Sequence, residues 1–142
     1  MAITPALCNS FKQELFVGTH NFAVAGDAFK LALFTSAATL SAATTVYSVT
    51  NEASGTGYTA GGAALTNVTP VLSASTLIVD FSSNLTWGAS TITARGAQIY
   101  NTSQANKSVM VLDFGSDKSS SNGDFTVNFP VADASNAIIR MT

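Results

Sequence analysis

The side chains that most often do chemistry in proteins are scarce in this sequence and stand apart from one another. The only histidine is His20 and the only cysteine is Cys8. A zinc site needs about four Cys, His or acidic ligands, and a nucleophilic cysteine needs a base beside it. We therefore expect no metal site and no catalytic residue here. His20 is interpreted as part of a short polar linker and Cys8 as a small buried hydrophobe.

Three aspartates lie around the polar segment 115–123 (GSDKSSSNG): Asp113, Asp117 and Asp124. Paired carboxylates can hydrolyse glycosides, and oxygen-rich loops can bind calcium. The regular acidic spacing of a calcium loop that closes on a glutamate is missing, and the whole chain has only two glutamates. We therefore predict a solvated hairpin loop, and an enzyme such as a cell-wall hydrolase is the least favoured function.

The segment 51–62 (NEASGTGYTAGG) is rich in glycine, serine and threonine. No Gly-Lys-Ser/Thr follows it, so it lacks the signature of a phosphate-binding loop, and no cofactor is expected. The composition predicts a long loop whose glycines allow backbone conformations with positive φ. Because loops often carry recognition, Thr56 and Tyr58 are candidate contact residues for a partner.

Charged residues make up 10% of the chain, its net charge is −2, and 46% of it is hydrophobic. An average globular domain is about a quarter charged, and weakly charged surfaces tend to associate. We infer that a partner or further copies of the chain cover much of the surface; the alternative is a weakly charged, soluble monomer. The six Lys and Arg are dispersed, which argues against nucleic-acid binding, and no run of 18 apolar residues predicts a membrane span.

One helix is predicted near the N-terminus. Thr4 can act as its N-cap, and Pro5 suits the first helical position because its missing N–H is not needed there. Gly18 is a typical residue just past a helix end. These signals predict a helix over residues 5–17.

Leu7, Phe11 and Leu15 recur in that helix at four-residue spacing, which places them on one face. A lone apolar stripe must be covered. We therefore expect the segment 1–18 to pack on a sheet or on a neighbouring subunit, and Phe11 and Leu15 are candidate contacts with that neighbour.

Beyond residue 27 the apolar pattern changes to a period of two, which is typical of strands. Val, Ile, Thr, Phe and Tyr dominate these segments, and turn residues separate them. We predict a single mainly β domain over 1–142, an antiparallel β-sandwich or jelly-roll-like fold of about eight strands with one N-terminal α-helix. The predicted strands are 28–35, 63–72, 75–81, 84–87, 91–101, 108–114, 124–130 and 137–141.

Most of the chain resembles a widespread family of small structural proteins of tailed-bacteriophage particles. The resemblance rests on a Gly-rich loop, a Trp-containing strand that leads into an ITARGAxIY-like strand, and a hairpin that begins with DFG; the FKLALFTS strand at 29–36 is similar too. The stretches are NEASGTGYTAGGAALTNVT (51–69), LTWGASTITARGAQIYN (85–101) and VLDFGSDKSSSNGDFTVNFP (111–130).

The resemblance implies a non-enzymatic virion protein, most typically a capsid cement or decoration protein. Its expected partners are the major capsid protein and copies of itself, in a homo-oligomer that is expected to be a trimer, and its expected location is the capsid surface. The alternative is a tail, neck or fibre protein, with a role in receptor or glycan binding. The resemblance implies no catalytic, metal or cofactor residue.

Overall fold

A computed structural model describes residues 2–142, and Met1, the first residue of the segment 1–18, lies outside the described residues. The chain folds into short antiparallel strands with one α-helix, which confirms the predicted mainly β class. The elements are β1 (Ala6–Leu7), α1 (Asn9–Phe16), β2 (Phe29–Phe34), β3 (Ala63–Ala64), β4 (Val71–Ser73), β5 (Thr76–Val79), β6 (Leu85–Ser90), β7 (Thr93–Asn101), a 3₁₀ turn (Thr102–Gln104), β8 (Lys107–Ser119), β9 (Gly123–Val127) and β10 (Ile139–Met141).

The strands form three antiparallel sheets. A five-stranded sheet has the order β1-β8-β7-β2-β3, a three-stranded sheet has the order β10-β5-β4, and β6 pairs with β9. The β7–β8 hairpin turns at Ala105 and Asn106, both in the left-handed region with φ of 52° and 59°. The hairpin stands at the centre of the large sheet, so it supports elements on both sides.

β2 is buried on both faces, which explains its nearly continuous apolar sequence FKLALF. One face carries Phe29, which stacks on Phe22 with ring centroids 4.4 Å apart and packs on Phe81, two residues past the end of β5. The opposite face carries Phe34, which meets Tyr47 from the loop between β2 and β3. The buried apolar side chains form one connected core.

The N-terminal helix is shorter than the sequence predicts. Residues 5–8 are not helical; instead Leu7 pairs with Met110 in the short β1–β8 ladder. The helix begins at Asn9, so its N-cap is Cys8 and not Thr4, and the Cys8 side chain makes no capping hydrogen bond. The Thr4 N–H donates to the Leu40 carbonyl. Pairing with β8 provides hydrogen bonds for the backbone of residues 6–8. The capping signals at Thr4 and Pro5 are too weak to turn this stretch into helix against that pairing.

The predicted helix stop at Gly18 is confirmed. Gly18 has φ +76°, its N–H donates to Leu15, and the Thr19 N–H donates to Glu14. This is the double hydrogen bond of a Schellman motif, which favours glycine because of its left-handed backbone. The motif turns the chain sharply, so residues 19–22 run back across the helix.

The largest differences from the predicted strands lie in two segments. The segment 63–72 forms β3 and β4 with an irregular stretch between them that contains Pro70, whose missing N–H cannot serve a ladder. β8 continues to Ser119, well past the predicted end at 114. Within residues 2–142, no helix has both the length and the apolar character to cross a membrane.

Candidate interaction surface

Among the residues that could do chemistry, His20 is hydrogen-bonded through both of its ring nitrogens. It was expected in a short polar linker, and it is only 7% exposed and lies between Glu14 and Asn101. The Asn101 side-chain oxygen accepts the Ser103 N–H, so its amide nitrogen is the group that faces His20 Nδ1 at 2.9 Å. His20 Nδ1 is therefore an acceptor, and Nε2 donates to Glu14 across 2.9 Å.

This buried cluster extends to both sides. Lys107 Nζ donates to the other Glu14 oxygen at 2.7 Å, and the Asn101 amide also donates to Asp27. Burial alone would raise the pKa of Glu14, but the hydrogen bonds from Lys107 and His20 lower it below its usual range. Both ring nitrogens of His20 are occupied, so the cluster ties α1 and the 19–27 segment to the β7–β8 hairpin.

Cys8 is fully buried, in agreement with its interpretation as a core residue. Its sulfur lies 3.0 Å from the Ser108 hydroxyl, and Gln98 donates to that hydroxyl. Burial raises the pKa of the Cys8 thiol, which outweighs the hydrogen bond to Ser108. The thiol is consequently protonated at neutral pH and shielded from reagents.

Of the three aspartates in the 113–124 region, Asp113 has partners within the chain, whereas Asp117 and Asp124 are exposed. Asp113 is ion-paired with Arg95 at 2.8 Å and accepts the Gly115 N–H. These bonds hold the pKa of Asp113 below its usual range. Across residues 2–142, no group of three or more His, Cys, Asp or Glu side chains is placed to hold a metal ion. The segment expected to be a loop is partly strand, because β8 runs through it.

The 51–62 loop is held by a carboxylate that the sequence analysis did not single out. Glu52 accepts the hydroxyls of Tyr47 and Tyr58, each at 2.6 Å, and the Gly61 N–H at 2.7 Å. Tyr47 also stacks on Tyr100 with centroids 4.4 Å apart. Burial and the adjacent carboxylate raise the pKa of Tyr47 and of Tyr58.

The two loop residues predicted to meet a partner lie in different environments. The Tyr58 hydroxyl also accepts the Leu33 N–H, so its polar end is fully used inside the chain. Thr56 is exposed, and its carbonyl fixes the loop to Thr91. Contact with a partner stays a prediction for Thr56, whereas Tyr58 mainly anchors the loop that presents it.

A mostly apolar groove of about 260 Å³ lies beside α1. Phe11 lies at its floor, only 2% exposed and packed on His20 and Phe22, while Leu15 stays partly exposed along its wall. Of the two helix residues predicted to meet a neighbour, Leu15 is therefore the accessible one. The other apolar residues that line the groove are Phe22, Ala23, Pro70, Leu77, Val79, Ile139 and Met141.

Exposed apolar side chains continue from this groove. Leu72 is 70% exposed and lies directly across the ladder from Leu77 in the groove wall. Val24 is 71% exposed, and its N–H donates to Thr69, next to Pro70. We call the groove together with Leu72 and Val24 the apolar face. Neither rim residue was predicted, because nothing in the local sequence pattern shows that α1, the 20–24 segment and the three-stranded sheet meet.

Comparison of this chain with protein-family models, with curated proteins and with solved structures finds no match.

Proposed function

We propose that this protein is a non-enzymatic structural component of a tailed-bacteriophage particle. In this proposal it acts as a capsid cement protein, an oligomer, expected to be a trimer, that binds across neighbouring shell subunits. The sequence resemblance of the stretches 51–69, 85–101 and 111–130 supports the viral assignment. Their place in the fold is consistent with a structural role: the first contains the tyrosine-anchored loop, and the other two form most of β6 to β9.

The apolar face is the observation that carries the proposed mode of action. Exposed apolar patches beyond a few hundred Å² mark contact sites in soluble proteins, and single exposed hydrophobes would need no explanation. Here Leu72 and Val24 border a groove that is itself apolar, and Phe16 at the end of α1 is 84% exposed. With only 10% of the chain charged, little opposes burial of this face against another subunit.

Burial of the apolar face can supply enough free energy to attach the protein stably to another subunit. Full burial of a Leu, Val or Phe side chain is worth about 1.5–3 kcal/mol. A few such side chains at the centre of an interface of about 1,200–2,000 Å² can dominate its free energy of binding. A cement protein needs only such persistent contacts and no turnover. The side chains in the polar clusters described above are hydrogen-bonded within the chain, so they serve the structure and are not free to act as reactive groups.

A stability experiment on particles tests this function. Particles produced without this chain should rupture at a lower temperature than complete ones, and added purified protein should restore the original rupture temperature. Equal rupture temperatures, together with recovery of the chain only in isolated tails, would replace the cement assignment with the tail, neck or fibre alternative. Absence of the chain from purified particles would remove the virion assignment altogether.

A further inference from the structure

β9 carries an edge that no strand of the described chain covers. It pairs on one side with β6, through Leu85↔Val127, Thr86↔Thr126 and Trp87↔Phe125, and these two strands form their own sheet. Short edges, bulges, proline and lysine usually protect such edges from pairing with another chain. The β9 sequence GDFTV contains neither proline nor lysine.

Two observations give the direction of the backbone groups along β9. The Gly123 carbonyl accepts the hydroxyl of Ser90 on β6, so by strand alternation the backbone groups of Phe125 and Val127 also point toward β6. The Thr86 and Thr126 hydroxyls lie 3.0 Å apart, as side chains do at the closer, non-hydrogen-bonded positions of an antiparallel pair. The N–H and C=O groups of Asp124, Thr126 and Asn128 therefore point away from β6.

The residues that carry these groups line an open groove of about 480 Å³. One wall is the run 124–128, and the other is formed by Phe114, Lys118 and Ser119 of β8. Phe114 belongs to a stretch of β8 that bulges out of the β7–β8 ladder opposite Arg95. A row of outward backbone donors and acceptors beside a groove fits an extended polypeptide strand, because only such a strand offers complementary groups at the same repeat.

We propose that β9 pairs antiparallel with β9 of a second copy of this chain, about a two-fold axis at Thr126. The β9 edge is complementary to itself, which favours a second copy of this chain as its partner. In this register Thr126 faces Thr126 of the other copy, and the single charge of the edge, Asp124, faces the amide of Asn128. In this register Asp124 and Asn128 can hydrogen-bond to each other, whereas another register could place the Asp124 carboxylates of the two copies opposite each other.

The pairing would join two β6–β9 sheets into one four-stranded sheet. Its outer face would carry the threonines Thr86 and Thr126 of both copies in one row, which extends the hydroxyl pair already present in each chain. Its inner face would continue the Trp87 and Phe125 packing. This inference is independent of the proposed function, since it concerns how copies meet and uses no residue of the apolar face.

The mass of the purified protein, measured by light scattering during gel filtration over a range of concentrations, tests this pairing. Two-fold pairing predicts dimers, or hexamers where a three-fold contact is also present. Thr126→Pro removes an outward N–H that no group within residues 2–142 accepts, so the fold should persist. Dimerisation should weaken by about tenfold or more, because the bonds that this N–H makes to the second copy are lost. Thr86→Pro is the matched control, because it removes the corresponding outward N–H on β6, away from the groove, and should leave the mass unchanged.

A measurement on the unmodified chain keeps the inference testable if the proline variant fails to fold. Hydrogen exchange at the Thr126 amide should be fast in dilute protein and slow at high concentration, whereas exchange at Val127, which faces β6, should not depend on concentration. A monomer at every concentration, a species of three copies alone, or even-numbered species that Thr126→Pro leaves intact would overturn the two-fold pairing. Each of these results leaves the proposed virion function to its own test.

Discussion

Asn101 and His20 lie 81 residues apart in the sequence, yet the Asn101 amide nitrogen donates to His20 Nδ1 across 2.9 Å. The same amide donates to Asp27, and the Asn101 oxygen accepts the Ser103 N–H. One fully buried side chain thus fixes the tautomer of His20 and joins the end of β7 to the segment that follows α1. This cluster holds the helix that lines the apolar face.

Replacement of Asn101 by aspartate should destabilise the protein by about 2–4 kcal/mol, because His20 and Asp27 lose a donor and a second carboxylate comes to face Asp27. Denaturant unfolding followed by circular dichroism measures the change. Asn122→Asp, at an exposed position without a side-chain hydrogen bond to the rest of the described chain, is the matched control and should change stability little. Equal stabilities of the two variants would contradict the role assigned to Asn101.

Acid should weaken the same cluster. The pKa of Glu14 is lowered in the folded chain by Lys107 and His20, against the effect of burial. Its contribution to stability is therefore present above the ordinary glutamate value of about 4.3 and lost as the pH falls through the lowered folded value. We expect the free energy of unfolding to decrease over this acidic range, and to decrease less steeply in Glu14→Gln. An identical slope in both proteins would show that Glu14 does not contribute in this way.

Alkali should act on the tyrosine cluster in the opposite sense. The pKa of each of Tyr47, Tyr58 and Tyr100, which are all the tyrosines of the chain, is raised by burial and by Glu52. Stability from these groups is complete below the ordinary tyrosine value of about 10 and is lost as the pH rises through the folded values. Phenolate absorbance should therefore appear only together with unfolding.

Glu52→Gln supplies the comparison for that titration. Without the carboxylate beside the phenols, phenolate absorbance should appear at a lower pH than in the unmodified chain. If both proteins show phenolate near pH 10 while still folded, the tyrosine hydroxyls are not held as described.

Leu72→Glu should weaken association through the apolar face. Leu72 lies at the rim and becomes buried in the interface, so its replacement by a charge removes the free energy of burying a leucine side chain, about 1.5–3 kcal/mol. The dissociation constant should therefore rise by about tenfold or more. Val131→Glu is the matched control, because Val131 is equally exposed at 70% but does not belong to the apolar face. Sedimentation of particles with each variant measures binding, and equal retention of the two would contradict this role of the face.

Sequence reasoning succeeded where local pattern determines structure. The apolar residues of FKLALF and the turn residues around the later strands predicted β2 and β7 to within two residues of their ends, and Gly18 predicted the helix stop. The strand predicted over 124–130 ended three residues too late. It failed where a distant partner decides the outcome: β8 pairs with Leu7 and shortens the predicted helix. The burial of His20 likewise depends on Asn101, which no local pattern reveals.

The apolar face was out of reach for the same reason. Leu15 was identified from helical spacing, but Leu72 and Val24 become part of the same surface only when β4, β5 and the 20–24 segment meet beside α1. The Glu52 carboxylate, which anchors the 51–62 loop, was also passed over, because its partners Tyr47 and Tyr58 are brought to it by the fold of the loop.

A three-dimensional reconstruction of complete particles tests the central claim most directly. The account predicts density for this fold at junctions between capsid subunits, with Leu72 and the groove beside α1 against a neighbouring chain. Density for the fold in a ring around the tail or neck would contradict the cement role. A particle in which the apolar face points to solvent would contradict the proposed mode of binding.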